Sequence, residues 1–417
     1  MNKVNPSLER LSACLAALRA ADLDRATLPQ EPLGGVRVRV AGREAIHFCS
    51  NDYLGLACHP AVMAAAREGA AAGAGATGAR LLSGDLPAHR SVEAAAAALF
   101  GRPALLWSSG YHVNAGAIPA LAGRGNLIFS DTDVHASAVD GCRLSRAETV
   151  IWPHNDADAL EALVIERLDA RAASQQFEQS EPRARRAFSA AIEPERADLL
   201  LAESVYSMDG SLAPLERLVE IAERYGLLLY LDEAHALGTR GSRGLGLAEE
   251  LGLLDRVGVL MAGLGKAAGV AGGLTVAHED ILALLRSTAR TWVFSTSLPP
   301  AVVAAAGVSL GLITGPEGSR RREILASRAR DLRGRLGIPH DGPAGASPII
   351  PIHVGDEARA LAMADRLLAD HGILCRAVRY PTVPLGAARL RLTVTAQHSE
   401  ADIIHAAKAI HSIRQDC

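Results

Sequence analysis

From about residue 60 to residue 290 the chain alternates short apolar runs with stretches of helical period. The runs at 104–107, 127–130, 149–152, 199–202, 227–231 and 257–262 carry almost no polar residue. Such continuous runs suit strands buried on both faces of a parallel sheet, and the helical segments between them predict a doubly wound α/β domain. Upstream, residues 1–45 read as a helical arm followed by a hairpin, with V-R-V-R-V alternating at strand period and A-G-R forming the turn. From about residue 291 the texture changes. P-I-I-P-I-H-V, A-R-A-L-A-M-A-D-R-L-L-A-D-H and A-A-R-L-R-L-T-V-T predict a strand, a helix and a strand of a smaller α+β domain. The chain thus divides into an arm (1–45), a large domain (46–290) and a small domain (291–417). Residues 165–198, rich in Arg, Glu, Gln and Ala, hold too few apolar positions for core and read as a surface insertion, in part helical.

Composition narrows the class. With 49% apolar and 21% charged residues the chain is globular, and a formal charge of −3 leaves no broad basic footprint for nucleic acid. Six cysteines lie far apart with no C-x-x-C pair, which fits reduced thiols in a cytoplasmic protein and supplies no metal site. The first residues form an amphipathic pattern interrupted by charges rather than a signal peptide. Residues 298–316 are free of charge, but begin with Pro-Pro and contain Gly307, Ser309, Gly311 and Thr314, so a buried core helix is expected there rather than a membrane span.

Polar, reactive residues recur where the apolar runs stop. Trp107 leads to S-S-G-Y, Ser130 to D-T-D-V-H-A-S, Trp152 to P-H-N-D and Ala202 to E-S-V-Y-S-M-D-G. The run at 227–231 ends in Asp232 with His235 three residues on, and that at 257–262 ends in glycines around Lys266. Open α/β sheets hold their ligands at these carboxyl ends. An amine beside a carboxylate that keeps a ring nitrogen protonated is the requirement of pyridoxal phosphate chemistry. Two other nucleotide readings lack their context. D-E-A-H mimics a helicase strand, but no G-x-x-x-x-G-K-[ST] lies upstream. Gly73-Ala-Gly-Ala-Thr-Gly78 spells a dinucleotide fingerprint after a helical stretch instead of a strand; Gly263-Leu-Gly-Lys-Ala-Ala268 is a looser match that does follow a strand and keeps an NAD(P)-dependent oxidoreductase as a remote alternative.

The ordered motifs N-D-Y-L-G-L, S-S-G-Y-H-V-N, H-A-S-A-V-D-G, H-N-D, E-S-V-Y-S-M-D-G, D-E-A-H, G-K-A-A-G, F-S-T-S-L-P-P and P-T-V-P-L-G-A-A-R-L-R-L-T span about residues 45–400. Together they resemble the α-oxoamine synthases, fold-type I pyridoxal phosphate enzymes that condense an amino acid with an acyl thioester and release carbon dioxide. The resemblance implies a mostly parallel central sheet, a smaller α+β C-terminal domain and a homodimer with shared sites. It also implies a role for each matching residue. Lys266 would form the imine with the cofactor and then act as the base on the α-carbon. Asp232 would bond the pyridine nitrogen, His235 and Ser207 the ring hydroxyl, and His135 would stack on the ring. The phosphate would sit at the helix start after Ser109, Gly110 and Tyr111, with Ser295 and Thr296 reaching the partner's phosphate. Arg391, helped by Asn51, would hold the substrate carboxylate, and Arg379 would lie near the acyl pocket, although a surface ion pair would account for either arginine. R-Y-P-T-V-P-L-G-A-A-R-L-R is most similar to the branch that uses L-alanine and a pimeloyl thioester, carried by coenzyme A or a carrier protein, in biotin synthesis. A secondary-metabolism relative using another acyl chain or amino acid stays open, because Gly263 stands where the family usually has a phosphate-binding threonine, Ala79 where serine is usual, and the 165–198 insertion is unusually long.

Overall fold

The computed structural model describes residues 5–178, 196–338 and 347–416. They form two compact units, one of Met1–Asn51, Met208–Gly210 and Leu325–Cys417, the other of Asp52–Ser207 and Ser211–Ile324.

In the first unit, strands β1 (Gln30–Gly34), β2 (Arg37–Val40) and β3 (Arg43–His47) run antiparallel. The β2–β3 hairpin turns at Ala41 and Gly42, whose φ values of 49° and 78° are those of a two-residue type I′ connection. Val38 and Val40 are buried while Arg37 and Arg39 are not, so the alternation read from V-R-V-R-V is the real pleat. β1 escaped that reading because Q-E-P-L-G has neither alternation nor apolar content, and all five of its residues are exposed. The arm helix Pro6–Ala20 is capped by Asn5, whose side chain accepts from the Ser7 N–H at 2.9 Å, and none of its residues is buried.

The second unit is built on a seven-stranded sheet. Its strands are β4 (Ala104–Trp107), β5 (Leu127–Asp131), β6 (Glu148–Trp152), β7 (Leu199–Glu203), β8 (Leu228–Asp232), β9 (Val259–Gly263) and β10 (Gly273–Ala277), in the order β4-β10-β9-β8-β7-β5-β6. The pairs β5–β6, β5–β7, β7–β8 and β8–β9 are parallel. Every residue of β5, β7, β9 and β10 is buried, which is why their sequences are unbroken apolar runs rather than alternating ones. All six strands expected from the apolar runs are present. β10 was not foreseen: it follows β9 after a nine-residue loop (264–272) with no helix between, so it returns antiparallel. The charge-free stretch becomes the helix Pro300–Thr314, packed on the helices Pro60–Gly69 and Pro87–Phe100. Among the described residues no single helix is long and apolar enough to cross a membrane. The helix Ala157–Glu178 runs into the segment read as an insertion; residues 179–195 of that segment lie outside the described residues.

The first unit closes with β11 (Ile349–Gly355), β12 (Ile373–Leu374), β13 (Arg376–Val378) and β14 (Ala388–Thr393). β11, β14 and β13 form an antiparallel sheet in that order, and β12 joins β3 in parallel. Behind them, buried His398 stacks on Phe48 with ring centroids 4.2 Å apart. Its Nδ1 accepts the Thr395 N–H at 2.9 Å. Burial pushes the His398 pKa down to about 4, with Asp402 opposing. The unfolded chain therefore takes up a proton near pH 6.5 that the folded chain refuses until about pH 4, so stability falls as pH drops through that window. The loss attributable to His398 is about 3 kcal/mol at most. His398→Asn, which removes the titration, is expected to flatten the decline of Tm between pH 7 and pH 4.5; an unchanged slope would remove His398 from the account.

Candidate active site

The carboxyl ends of the parallel strands meet at one edge, with Glu203 in register beside Asp232 and Asp232 beside Met261. Asp232, the last residue of β8, is buried, and both its oxygens are held. Oδ2 accepts from Asn114 Nδ2 at 2.9 Å and Oδ1 from the Ala234 N–H at 2.9 Å. The Asn114 amide also donates to Ser137 Oγ at 3.0 Å and accepts from the Tyr230 hydroxyl at 2.8 Å. Tyr230 lies two residues before Asp232 on the same strand and so on the same face. This network holds the carboxylate in one orientation by neutral donors, a suitable state for a group expected to meet a ring N–H.

His135 caps the helix Ala136–Ser145, its Nδ1 accepting from the Ser137 N–H at 3.2 Å and lying 2.7 Å from Ser137 Oγ. Nδ1 is thus an acceptor, and the neutral ring carries its proton on Nε2. Burial lowers the His135 pKa, with the Asp232 charge raising it and the Lys266 charge lowering it further. The ring faces Tyr111 edge-on at 6.4 Å, and the exposed Tyr111 hydroxyl donates to Asp140.

Lys266 sits half-buried on the loop between β9 and β10, its charge felt by both His135 and Glu203. The loop is closed by Leu264 N–H to Gly272 carbonyl (3.0 Å), Val270 N–H to Leu264 carbonyl (3.1 Å) and Gly269 N–H to Lys266 carbonyl (2.8 Å). Gly269 has φ +67°, and a Cβ there would lie 2.4 Å from the Ala57 nitrogen, so the turn that presents Lys266 admits no side chain at that position.

Ser109 caps the helix Gly110–Leu121, accepting from the His112 N–H at 3.1 Å. The Gly110 and Tyr111 N–H groups precede the first helical bond, Val113 N–H to Ser109 carbonyl, so they are available to an anion. A Cβ on Gly110 would meet nothing nearer than the Met261 methyl at 3.6 Å and Gly263 Cα at 3.7 Å. Two glycines thus leave an open cradle at a helix N-terminus. The cradle, the buried carboxylate, the neutral imidazole and the lysine together fit pyridoxal phosphate: an anion seat, a ring-nitrogen partner, a flat neighbour and an amine.

Gly263 stands at the position where the resemblance implies a phosphate-binding threonine. A Cβ at Gly263 would stand 3.0 Å from Ala234 Cβ, and the Ala234 N–H is a ligand of Asp232. Gly263→Thr alone is therefore expected not to tighten cofactor binding. Gly263→Thr with Ala234→Gly relieves the contact, and is expected to bind the cofactor tighter than either single variant by about 1.5–3 kcal/mol, the worth of a hydrogen bond to a charged group. Equal affinities on titration of the apoprotein would show that the threonine hydroxyl finds no phosphate.

Of the remaining predicted residues, His235 is buried with Nδ1 2.6 Å from the Tyr53 hydroxyl. Ser207 is buried, four residues past the end of β7. Ser295 is half-buried and Thr296 exposed; the Thr296 carbonyl accepts from Ser108 Oγ at 3.2 Å, next to the cradle. Asn51, Arg379 and Arg391 belong to the other compact unit. There Arg391 donates to Asn51 Oδ1 at 3.3 and 3.4 Å and to Thr393 Oγ1 at 3.0 Å, so the expected pair is assembled. Arg379 donates to the Asp24 carbonyl on the arm at 3.1 Å.

Asn114, Ser137, Tyr230, Tyr53 and Glu203 were not assigned from sequence. Asn114 and Tyr53 lay inside quoted motifs, and Glu203 ends an apolar run, yet only folding sets them beside Asp232, His235 and Lys266. The decoys also resolve. Glu233 of D-E-A-H is buried and accepts from the Ser204 hydroxyl and the Leu247 and Ala248 N–H groups, at 3.0 and 2.8 Å for the latter two; burial raises its pKa to about 7. The 73–78 loop follows a helix, and the Gly78 carbonyl accepts the Ser297 N–H at 3.0 Å.

The aminotransferase class I and II family model matches residues 43–410. The chain belongs to this family. Among curated proteins it is 45% identical over 399 residues to an 8-amino-7-oxononanoate synthase of Anaeromyxobacter dehalogenans, covering 95% of this chain and 93% of the relative. It is 40% identical to the enzyme of the same name from Geobacter sulfurreducens, covering 96% and 97%. Among solved structures, the serine palmitoyltransferase of S. paucimobilis with bound PLP superposes with TM-score 0.85 at 29% identity over 100% and 99% of the two chains. An 8-amino-7-oxononanoate synthase from Francisella tularensis gives TM-score 0.68 at 22% identity over 89% and 97%, a likeness of fold. The resemblance to the α-oxoamine synthases read from the motifs is borne out, and the fold is that of the fold-type I pyridoxal phosphate transferases.

Proposed function

We propose that this chain condenses L-alanine with a pimeloyl thioester, releasing carbon dioxide and the carrier thiol, as the α-amino-ketone-forming step of biotin synthesis. The chain is a pyridoxal phosphate-dependent C-acyltransferase. The observation that carries the chemistry is the gathering of Asp232, His135 and Lys266 at one sheet edge beside the Gly110 cradle. When bound, the cofactor supplies an electron sink for the carbanion left at the amino acid's α-carbon. Around it, Lys266 would hold the cofactor's aldehyde and move the α-proton, Asp232 would keep the ring nitrogen protonated and His135 would cover one ring face. The N–H groups of Gly110 and Tyr111, with Ser109, would seat the phosphate. Ser207 and His235 would reach the ring hydroxyl, and Arg391 with Asn51 would grip the carboxylate in two places. In a homodimer, Ser295 and Thr296 would serve the partner's phosphate.

For the acyl chain, the support is the contrast between 45% identity to an 8-amino-7-oxononanoate synthase and 29% to a serine palmitoyltransferase. The second reading, a long-chain acyl thioester with L-serine, rests on the higher TM-score of that structure. The purified holoenzyme, offered L-alanine, L-serine and glycine with pimeloyl, acetyl, succinyl and palmitoyl thioesters on coenzyme A and on a carrier protein, decides between them. Thiol and carbon dioxide release are expected to be fastest with L-alanine and a pimeloyl thioester. A preference for palmitoyl thioester and serine would overturn the biotin reading and leave the reaction class intact.

A further inference from the structure

Within the first unit, positive charge collects where the arm runs along β13 and the loop after it. Arg376 donates to the Ala26 carbonyl at 3.2 Å, Arg379 to the Asp24 carbonyl at 3.1 Å, and Arg25 to Thr382 Oγ1 at 3.1 Å. The Asp24 and Ala26 carbonyls belong to residues two apart, which an extended chain separates by at most about 7 Å, so the guanidinium groups that reach them are neighbours. A fourth charge stands close by in the sheet, since Arg376 is the cross-strand partner of Arg391. Like charges placed opposite each other repel.

None of Arg25, Arg376 and Arg379 forms an ion pair among the described residues. Two acids of the adjoining stretches are engaged elsewhere: Asp24 faces Arg19 at 3.7 Å, and Glu357 accepts the Gly386 N–H at 3.0 Å. The whole chain carries a formal charge of −3, so this excess of cations is local. It is also open to water. Arg25 and Arg376 are exposed, and the loop that begins at Arg379 exposes Tyr380 (46%) and Leu385 (73%). A small anion is usually held in a concave pocket. An open patch of arginines with an exposed tyrosine and leucine has instead the composition of a protein interface, with charge that suits an acidic partner.

On the acyl-transfer reading, we propose that Arg25, Arg376, Arg379, Tyr380 and Leu385 form the docking surface for an acidic carrier protein that delivers the acyl thioester. The arginines steer the encounter, and the two exposed apolar side chains supply the contact that water leaves. Residues 24–26 of the arm, fastened by the same guanidinium groups, then belong to the recognition surface.

The test titrates the holoenzyme with an acyl carrier protein in its phosphopantetheine-bearing form. The native chain is expected to bind it, with an affinity that falls as salt is raised. Arg25→Glu with Arg376→Glu is expected to weaken binding roughly tenfold or more at low salt and to flatten the salt dependence. In turnover, the same double variant is expected to raise KM for a carrier-borne pimeloyl donor by a similar factor. Its kcat, and its KM for the same acyl group on coenzyme A, are expected to stay within about twofold of native. Arg25→Lys with Arg376→Lys keeps the charges and is expected to bind the carrier nearly as the native chain does. Three results would overturn the docking surface: no carrier binding by the native chain, equal losses with carrier-borne and coenzyme A-borne donors, or a lysine variant as impaired as the glutamate one. Salt-dependent carrier binding lost in the glutamate variant, with no turnover of a pimeloyl thioester on either carrier, would overturn the proposed reaction and leave the surface standing.

Discussion

Lys266→Ala is expected to give a folded protein that holds pyridoxal phosphate without covalent attachment, and whose turnover falls by about 10²–10⁴-fold or more, the range for loss of a positioned proton-transfer group. Lys266 is half-buried on a loop fastened by its own backbone bonds, so the truncation leaves the sheet untouched. On the proposed reading its side chain has two duties, attachment and α-proton transfer, and both vanish together. Borohydride reduction of the native holoenzyme should fix the cofactor on the peptide containing Lys266, and reduction of the variant should fix none. A label on another lysine, or a reconstituted native protein without visible absorbance, would displace Lys266 from its role. Added methylamine should restore part of the lost rate if the defect is a missing amine rather than a damaged site.

Arg391→Ala is expected to lower kcat/KM about ten- to a hundredfold for every amino acid and acyl donor, because a charge-assisted hydrogen bond of about 1.5–3 kcal/mol is lost wherever a carboxylate binds. Arg391 lies mid-strand on β14, opposite Pro351 on one side and Arg376 on the other, and its guanidinium is already aimed by Asn51 and Thr393. Such preparation lowers the entropy lost when a substrate carboxylate is gripped. Arg391→Lys keeps the charge but not the planar fork, and is expected to recover only part of the loss. Arg379 makes the contrast. Its guanidinium holds the Asp24 carbonyl of the arm, and Arg376 and Thr382 bind the same stretch through Ala26 and Arg25. If Arg379 also serves a pimeloyl carboxyl, Arg379→Ala should erode the preference for that chain more than it slows exchange of the alanine α-proton. Equal losses in both assays would move Arg379 to the carboxylate or the cofactor; no loss in either would leave it as a fastener of the arm.

The sequence by itself determined the parts whose cause is local. Strands buried on both faces are unbroken apolar runs, and so β4, β5, β7, β8 and β9 could be read off directly, while β6 is an edge strand with Glu148, Thr149 and Ile151 exposed. The V-R-V-R-V hairpin was legible because alternation and turn residues carry their own geometry. The placement of Asp232, His135, Lys266 and Ser207 after the strand ends was legible too, since strand ends in an α/β sheet share one edge whatever the connections between them. Tertiary structure decided what depends on neighbours distant in the chain. β10 is five residues long and defined by pairing on both sides with β9 and β4. Asn114 matters because its amide meets Asp232, 118 positions away, and nothing in a helix sequence marks such a partner. Gly263 reads as a missing phosphate ligand in the chain; only the fold shows that a side chain there would press on Ala234 Cβ. Glu203 reads as one more acid after an apolar run; only the strand register sets it against Asp232, away from water.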